Sequence, residues 1–248
     1  MRIRVGHLYP DHLNIYADRG NIAVLRGRAR ARGHELDVRA IGIDDAVPAG
    51  EVDLFYIGGG QDSDQELIAP DLAGKGPALA QAAAEGSVFL AVCGGYQLLG
   101  RSYRDRAGAE LPGVGLLPLH TIGGTRRMIG DVLVDCAWAG ERLVGFENHG
   151  GRTILDPDAT PLGRVLAGFG NDGISGYEGA REGRIYGTYL HGPLLPRNPW
   201  FADRLLAEAL EHRSGHPVEL AGLGDELEHA AHRVAAARAA ARGGRRSG

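Results

Sequence analysis

The sequence has few cysteines, a single lysine and no long hydrophobic run. Its two cysteines, Cys93 and Cys136, are too few and too far apart for a disulfide framework or a structural zinc site. No stretch approaches the length of uninterrupted apolar residues that a membrane span needs, so none is expected. The first ten residues carry charges and no cleavage site of the kind that ends a signal peptide. We therefore expect the protein in a reducing cytoplasm, where a lone thiol stays reactive.

The charge balance disfavours nucleic acid as a partner. Lys75 is the sole lysine, so nearly all positive charge is carried by arginine, and the formal net charge is -4. Proteins that bind nucleic acid usually present a clustered basic face instead. With 44% hydrophobic and 23% charged residues, the composition is that of an ordinary globular protein.

Hydrophobic patterning in the first half of the chain alternates between strands and helices. Strands are predicted at 3–9, 36–41, 52–57 and 87–92. Helices are predicted at 21–32, 67–85 and 96–100, the second of them interrupted near Pro70 and Pro77. The runs VDLFYI and SVFLAV are almost wholly apolar, which is typical of strands covered on both faces. Strands separated by helices indicate βαβ units, and hence an α/β domain with a mostly parallel sheet.

The second half is richer in glycine and turns. Further strands, partly antiparallel and extending the same sheet, are predicted at 113–124, 130–147, 164–177 and 184–190. Helices are predicted at 198–213 and 225–242, and 243–248 is expected to be a frayed basic tail. We predict one domain at 1–222, followed by a C-terminal helix and tail at 223–248.

Cys93 is the strongest candidate for chemistry. It follows the apolar run SVFLAV directly and precedes Gly94-Gly95, so it lies on a tight turn between a strand and a helix. Glycines permit a strained backbone there, and a helix N-terminus favours a thiolate over a thiol. The backbone N–H of Gly94 could donate to an oxyanion. The alternative is a buried structural cysteine, which is the usual fate of this residue.

Three further segments place polar residues beside glycines. GGGQD (58–62) follows a buried strand, and a glycine N–H there could supply a second oxyanion donor. No Gly-Lys-Ser/Thr follows it, so a nucleotide-binding P-loop is not expected. His191 ends a short strand and could take a proton from a thiol across a crevice. FENHGGR (146–152) suggests a binding loop. Taken alone, each has a plain alternative, namely a turn or an ordinary core or surface histidine.

Together, VCGGYQ, IGGGQD, ENHGG and YLHGP resemble the class I (triad-type) glutamine amidotransferases, and in particular their cobyric-acid-synthase-like branch. Three segments are similar to the glutaminase subunits of lipid II isoglutaminyl synthase, the GatD type: LYPDHLNIYADRGN (8–21), GGGQDSDQ (58–65) and TRRMIG (125–130). The resemblance covers residues 3–210. It implies a single flavodoxin-like domain whose central, mostly parallel sheet has helices on both faces.

By position, the resemblance implies that Cys93 is the nucleophile and His191 the base. It implies that the backbones of Gly60 and Gly94 form the oxyanion hole. Further substrate-binding positions implied by the resemblance are Gln97, Arg127 or its neighbour Arg126, Asn148, His149 and Gly150.

The resemblance also implies a reaction and a partner. The chain would hydrolyse L-glutamine to glutamate and ammonia through a cysteine thioester. Without a P-loop of its own, it would pass the ammonia to a Mur-ligase-like synthetase subunit (MurT type) in a heterodimer. That partner would amidate the D-glutamate α-carboxyl of lipid II in peptidoglycan synthesis, and ATP and Mg²⁺ would belong to it. No cofactor or metal is expected in this chain.

One position departs from the family pattern. Many class I enzymes carry glutamate two residues after the catalytic histidine, where this chain has Pro193. Three explanations stay open for the group that orients the imidazole: Glu147, a carboxylate of the partner, or a Cys–His dyad without an acid. Three alternatives also stay open for the whole chain: a glutaminase for cobalamin-type amidation, a catalytically silent amidotransferase-like scaffold, and a cysteine hydrolase with another substrate.

Overall fold

Four strands from the first half of the chain pair in parallel at the centre of the molecule. In the computed structural model, which describes residues 1–15 and 19–243, they are β1 (Arg2–Leu8), β2 (Glu35–Ile41), β3 (Leu54–Ile57) and β4 (Val88–Val92). Every residue of β3 and β4 is buried, as expected for strands that are covered on both faces. The predicted mostly parallel sheet is confirmed.

Two later strands complete this sheet. With β11 (Ala180–Glu182) and β12 (Ile185–Thr188), the strand order is β11-β12-β4-β3-β1-β2. All neighbours are parallel except β11 and β12, which form an antiparallel pair. In the register of β12 with β4, Thr188 lies opposite Val92. The chain therefore leaves both strands at the same edge of the sheet.

Helices cover both faces of the central sheet. They are α1 (Arg19–Ala31), α2 (Asp62–Ala84), α3 (Gly94–Leu99), α4 (Pro199–Ser214) and α5 (Glu226–Gly243). Helix α1 connects β1 to β2, toward one edge of the sheet, and α2 connects β3 to β4, toward the opposite edge. Because such crossovers are right-handed, α1 and α2 lie on opposite faces, and α4 packs beside α1. No helix in the described ranges has both the length and the apolar character needed to cross a membrane.

Helix α2 is continuous, so the predicted interruption near Pro70 and Pro77 is wrong. Both prolines lie inside the helix, which begins at Asp62. A proline lacks an N–H donor and crowds the carbonyl four residues earlier, so each one is locally unfavourable. Burial of one helix face outweighs this cost, since Ile68 and Leu72 are completely covered by the core.

Most strands of the second half form a second sheet, so the prediction that they extend the first one is wrong for 113–124, 130–147 and 164–177. The members of this sheet are β5 (Ser102–Arg104), β6 (Glu110–Pro112), β7 (Leu119–Cys136), β8 (Glu141–Leu155), β9 (Gly163–Ala167) and β10 (Tyr177–Glu178). A short turn joins β7 to β8, and they pair along most of their length. This antiparallel pairing uses backbone hydrogen-bonding groups of β7 and β8 that pairing with the central sheet would need. Of the four predicted strands, only 184–190 joins the central sheet, as β12.

A partly buried ionic cluster ties the start of the C-terminal segment to the core. The Arg28 guanidinium donates two hydrogen bonds to Asp203, at 2.6 and 2.7 Å, and two to Asp225, at 2.8 and 2.6 Å. Beyond it, α5 packs on β7, β8 and β9. The predicted boundary at 222 stays a prediction. Gly243 belongs to α5, and the rest of the predicted tail lies outside the described residues.

Asp225→Ala is expected to destabilise the protein by about 1.5–3 kcal/mol, the usual contribution of hydrogen bonds to a charged group. The matched control is Glu226→Ala, which changes an exposed neighbour. The Arg28 hydrogen bonds hold the pKa of Asp225 below its ordinary value. The contribution is therefore full above the ordinary carboxyl pKa of about 4, and it is lost as the pH falls through the lowered value of the folded state. Urea unfolding at several pH values measures it, and equal stability of the two variants at neutral pH would contradict it.

Candidate active site

Cys93 lies on a strained turn between β4 and α3. Its backbone has φ 50° and ψ −107°, a combination that L residues rarely adopt. The following chain packs tightly against the end of β3, because the Gly95 N–H donates to the Gly58 carbonyl at 3.0 Å. A Cβ on Gly95 would come within 2.8 Å of the carbonyl oxygens of Ile57 and Gly58. Glycine at 95 is therefore required for the turn that presents Cys93.

The two predicted oxyanion positions are neighbours across the ends of β3 and β4. A Cβ built on Gly94 would lie 3.1 Å from the backbone nitrogen of Gly60. A Cβ on Gly60 would in turn lie 2.3 Å from the Leu13 side chain, so this backbone is closely packed on its other side. The structure thus places the backbones of Gly60 and Gly94 next to each other beside Cys93, where the resemblance predicts an oxyanion hole.

His191 is buried at the end of the segment that follows β12. The Cys93 N–H donates to the Thr188 carbonyl at 2.8 Å, so this segment leaves the sheet beside the cysteine. The His191 N–H donates to the Phe146 carbonyl of β8 at 2.8 Å. The structure therefore brings Cys93 and His191 to the same edge of the central sheet.

A cavity of about 700 Å³ opens beside Cys93, between this edge and the β7–β8 hairpin. Seven predicted site residues line it: Gly60, Cys93, Gln97, Arg127, Asn148, His149 and Gly150. Gly94 and His191 are not part of its wall. Asp62, Tyr103 and Arg106 also line it, and sequence reasoning missed these residues as members of the site. Asp62 had a weak signal, because it ends the GGGQD motif.

A register shift in the β7–β8 pairing places Arg127 at the cavity. Its Nε donates to the Asn148 side-chain oxygen at 3.0 Å, and its Nη2 donates to the Asn148 carbonyl at 3.1 Å. The guanidinium is held in one direction and stays exposed, which suits bidentate binding of a carboxylate. The Arg126 guanidinium instead lies over the ring of Phe169, 5.6 Å from its centroid. Of the two arginines, Arg127 is therefore the one that lines the cavity.

Gln97 is fixed by hydrogen bonds at both ends of its amide. Its Nε2 donates to the Tyr189 hydroxyl at 3.0 Å, and its Oε1 accepts from Gln65 at 2.8 Å. The Tyr189 hydroxyl also bonds Thr153 at 2.6 Å. The Tyr189 ring stacks on the His149 imidazole, with centroids 3.5 Å apart. Because these groups are buried and in contact with one another, they hold Gln97 and His149 in fixed positions in the cavity wall.

Glu147, one of the open candidates for the third acid, is bonded elsewhere. Its two oxygens accept the backbone N–H groups of Phe169 at 2.7 Å and Gly170 at 2.9 Å. Its Oε2 lies 3.8 Å from the Nε2 of His149. These contacts give Glu147 a structural role in the turn after β9.

Sequence reasoning also missed Glu178, whose carboxyl group is buried as well. It accepts the Tyr189 N–H at 2.6 Å and the Thr188 hydroxyl at 3.1 Å. Burial raises the pKa of its carboxyl to about 8, although these hydrogen bonds act in the opposite direction. No local pattern singles out this residue, because its partners are supplied by another strand.

A cysteine on a strained strand-to-helix turn, with a histidine at the end of the neighbouring parallel strand, is the layout of α/β enzymes that use a thiol nucleophile. The family model of the CobB/CobQ-like glutamine amidotransferase domain matches residues 4–199. The chain belongs to this family of class I glutamine amidotransferases, and the predicted resemblance is confirmed.

Two relatives match nearly the whole chain. It is 40% identical over 232 residues to lipid II isoglutaminyl synthase (glutamine-hydrolyzing) subunit GatD of Staphylococcus aureus, and the match covers 94% of each chain. It is 37% identical over 227 residues to the GatD subunit of Streptococcus pneumoniae, covering 91% of this chain and 87% of the relative. A solved glutamine amidotransferase from Thermotoga maritima matches with a TM-score of 0.52 at 19% identity, covering 95% of this chain and 94% of that one. This likeness confirms the predicted fold class.

Cys93→Gly is expected to be more stable than Cys93→Ala by about 1 kcal/mol, because glycine relieves the backbone strain while losing some chain entropy. At Cys136, the last residue of β7, the alanine variant should instead be more stable than the glycine variant, by roughly 0.5–1 kcal/mol. Urea unfolding of the four variants measures both differences. Equal stability of the two Cys93 variants would show that the turn is unstrained.

Proposed function

We propose that this chain is a glutaminase that hydrolyses L-glutamine to glutamate and ammonia through a thioester on Cys93. The observation that carries the proposal is the Cys93 turn, with φ 50° at the cysteine and the Gly60 nitrogen beside Gly94. The likeness to subunits named as glutamine-hydrolyzing supports the same reaction.

In the first half-reaction, His191 takes the Cys93 proton and the thiolate attacks the side-chain amide carbon of glutamine. The oxyanion that forms accepts hydrogen bonds from the N–H groups of Gly60 and Gly94, and one such donor typically lowers the barrier by about 3 kcal/mol. His191 then protonates the leaving nitrogen as the C–N bond breaks, which releases ammonia and leaves the thioester. In the second half-reaction, His191 deprotonates a water that attacks the thioester and releases glutamate.

The cavity offers charges for both ends of the amino acid. The Arg127 guanidinium, held by Asn148, suits the α-carboxylate of glutamine. In the described part of the wall, Asp62 is the sole acidic side chain, and it suits the α-ammonium group. The Tyr103 hydroxyl lies 3.4 Å from Asp62 Oδ1. Burial raises the pKa of this phenol far above its ordinary range, so the hydroxyl stays a donor and orients the carboxylate.

The ammonia is proposed to pass to a Mur-ligase-like synthetase subunit (MurT type) in a heterodimer. That subunit would use ATP and Mg²⁺ to amidate the D-glutamate α-carboxyl of lipid II in peptidoglycan synthesis. Direct delivery is needed, because free ammonia near neutral pH is mostly protonated and then is no nucleophile. The extent of the match to the S. aureus subunit, 94% of each chain, supports this acceptor over one in cobalamin-type amidation.

The acid that orients His191 is proposed to come from the synthetase partner. Pro193 stands where many class I enzymes have glutamate. Both oxygens of Glu147 bond backbone N–H groups at 169–170. A carboxylate added by the partner would hold the imidazole in its productive tautomer and would couple glutamine hydrolysis to assembly of the complex.

Ammonia release from glutamine tests both parts of the proposal. Wild-type chain and Cys93→Ala are compared, each with and without the synthetase subunit. Activity should disappear in Cys93→Ala, because the nucleophile is gone, and the partner should stimulate the wild type. Absence of ammonia in every condition would overturn the glutaminase and favour the silent scaffold. Equal turnover with and without the partner would refute the shared acid.

Asp62→Asn is expected to raise KM for glutamine about 10- to 100-fold at similar kcat, the effect of losing a hydrogen bond to a charged group. With glutaramate, which lacks the α-amino group, the same substitution should change little. Asp64→Asn is the matched control, because Asp64 caps the same helix by bonding Gln61 and lies outside the cavity wall. An equal loss with both substrates would contradict the assignment.

A further inference from the structure

Glu178 is a fully buried carboxyl group that the proposed chemistry does not use. It lies on β10 and holds the segment that leads to His191. One oxygen accepts the Tyr189 N–H at 2.6 Å, and both oxygens lie 3.1 Å from the Thr188 hydroxyl. The Thr188 hydroxyl oxygen accepts the Leu190 N–H at 3.0 Å. One carboxyl group thus fixes three consecutive residues before His191, directly or through Thr188.

The backbone of this segment depends on side chains for its hydrogen bonds. The ladder between β12 and β4 ends at Thr188, while Tyr189 and Leu190 are completely buried. Buried N–H groups beyond the end of a ladder need other acceptors. Glu178 and Thr188 provide them, so the direction in which the chain leaves the sheet is set by Glu178.

The turn that follows Glu178 is also tied to the helix that follows Cys93. The Asn171 side chain accepts the Gly179 N–H at 2.8 Å and donates to the Gly179 carbonyl at 3.0 Å. The Tyr96 hydroxyl of α3 donates to the same Asn171 oxygen at 3.2 Å. A buried chain of hydrogen bonds therefore runs from the cysteine's helix to the segment before His191.

We propose that Glu178 is a positioning residue for the amidotransferase reaction. By fixing the backbone of Tyr189 and Leu190, it sets where the His191 imidazole lies relative to the Cys93 thiol. This inference rests on the proposed role of His191 as the base. The charged side chains proposed for the two ends of glutamine, Arg127 and Asp62, come from other elements, so the main effect of Glu178 is expected on the rate of the chemical steps.

Glu178→Ala is expected to lower kcat for ammonia release about 10- to 100-fold, since a small displacement of a general base has an effect of this size. KM for glutamine should change by less than about threefold. The limb of the kcat/KM pH profile that reports the base should shift. Glu178→Gln keeps an acceptor oxygen for the Tyr189 N–H and should recover most of the rate.

Glu208→Gln is the matched control. Glu208 is also buried and accepts a hydrogen bond from β12, but it bonds the Tyr186 hydroxyl at 2.9 Å, away from the segment before His191. The Glu208→Gln substitution should lower the midpoint of thermal unfolding without changing kcat or the pH profile. If Glu178→Ala fails to fold, Glu178→Asp replaces it and should reduce kcat at an unchanged KM.

Two results would overturn the inference alone. One is a wild-type kcat in folded Glu178→Ala, or in Glu178→Asp if that variant replaces it. The other is a raised KM at unchanged kcat. Absence of ammonia from the wild type, with and without its partner, would overturn the proposed function and this inference together. The wild-type measurement therefore separates the two failures.

Discussion

The parallel pairing of β3, β4 and β12 is the constraint on which the site depends. In their shared register, Ile57 lies opposite Ala91 and Val92 lies opposite Thr188. Because parallel strands end at one edge of a sheet, the glycine loop, the cysteine and the segment to the histidine all begin side by side. Close packing on both buried faces of β3 and β4 makes this register costly to change, since a one-residue slip would turn every side chain to the opposite face and disrupt the packing.

The second sheet supplies what the edge of the central sheet lacks. Its β7–β8 hairpin presents Arg127 and Asn148 to the cavity, and β5 contributes Tyr103. Buried polar groups link the two sheets, as in the bond of Tyr189, after β12, to Thr153 of β8. In a water-poor interior such bonds are strong, and an unmatched partner is costly, so the network admits few arrangements. The nucleophile Cys93 and the carboxylate-binding candidate Arg127 are thus held by separate sheets at fixed relative positions.

The local hydrophobic pattern predicted the strands well where both faces are buried, because a strand covered on both faces consists almost wholly of apolar residues. It failed where long-range pairing decides the outcome. Prolines at 70 and 77 are locally unfavourable to a helix, yet α2 runs through both because its buried face packs on the core. In the second half, the hydrophobic pattern marked strands correctly in several places. Which sheet those strands join depends on the partners they find, and hairpin pairing of β7 with β8 separates them from β4.

The sequence by itself determined the turn at Cys93, since the strand, the cysteine, the two glycines and the helix are contiguous and the backbone geometry follows from them. Its motifs also marked Gly60, Arg127 and His191, each within a short recognisable segment. Only the tertiary structure decided that Asp62, Tyr103 and Arg106 share the cavity, and that Glu178 lies under the backbone before His191. These contacts join residues far apart in the chain. Burial and strand register bring them together, and no local arrangement of residue types encodes either.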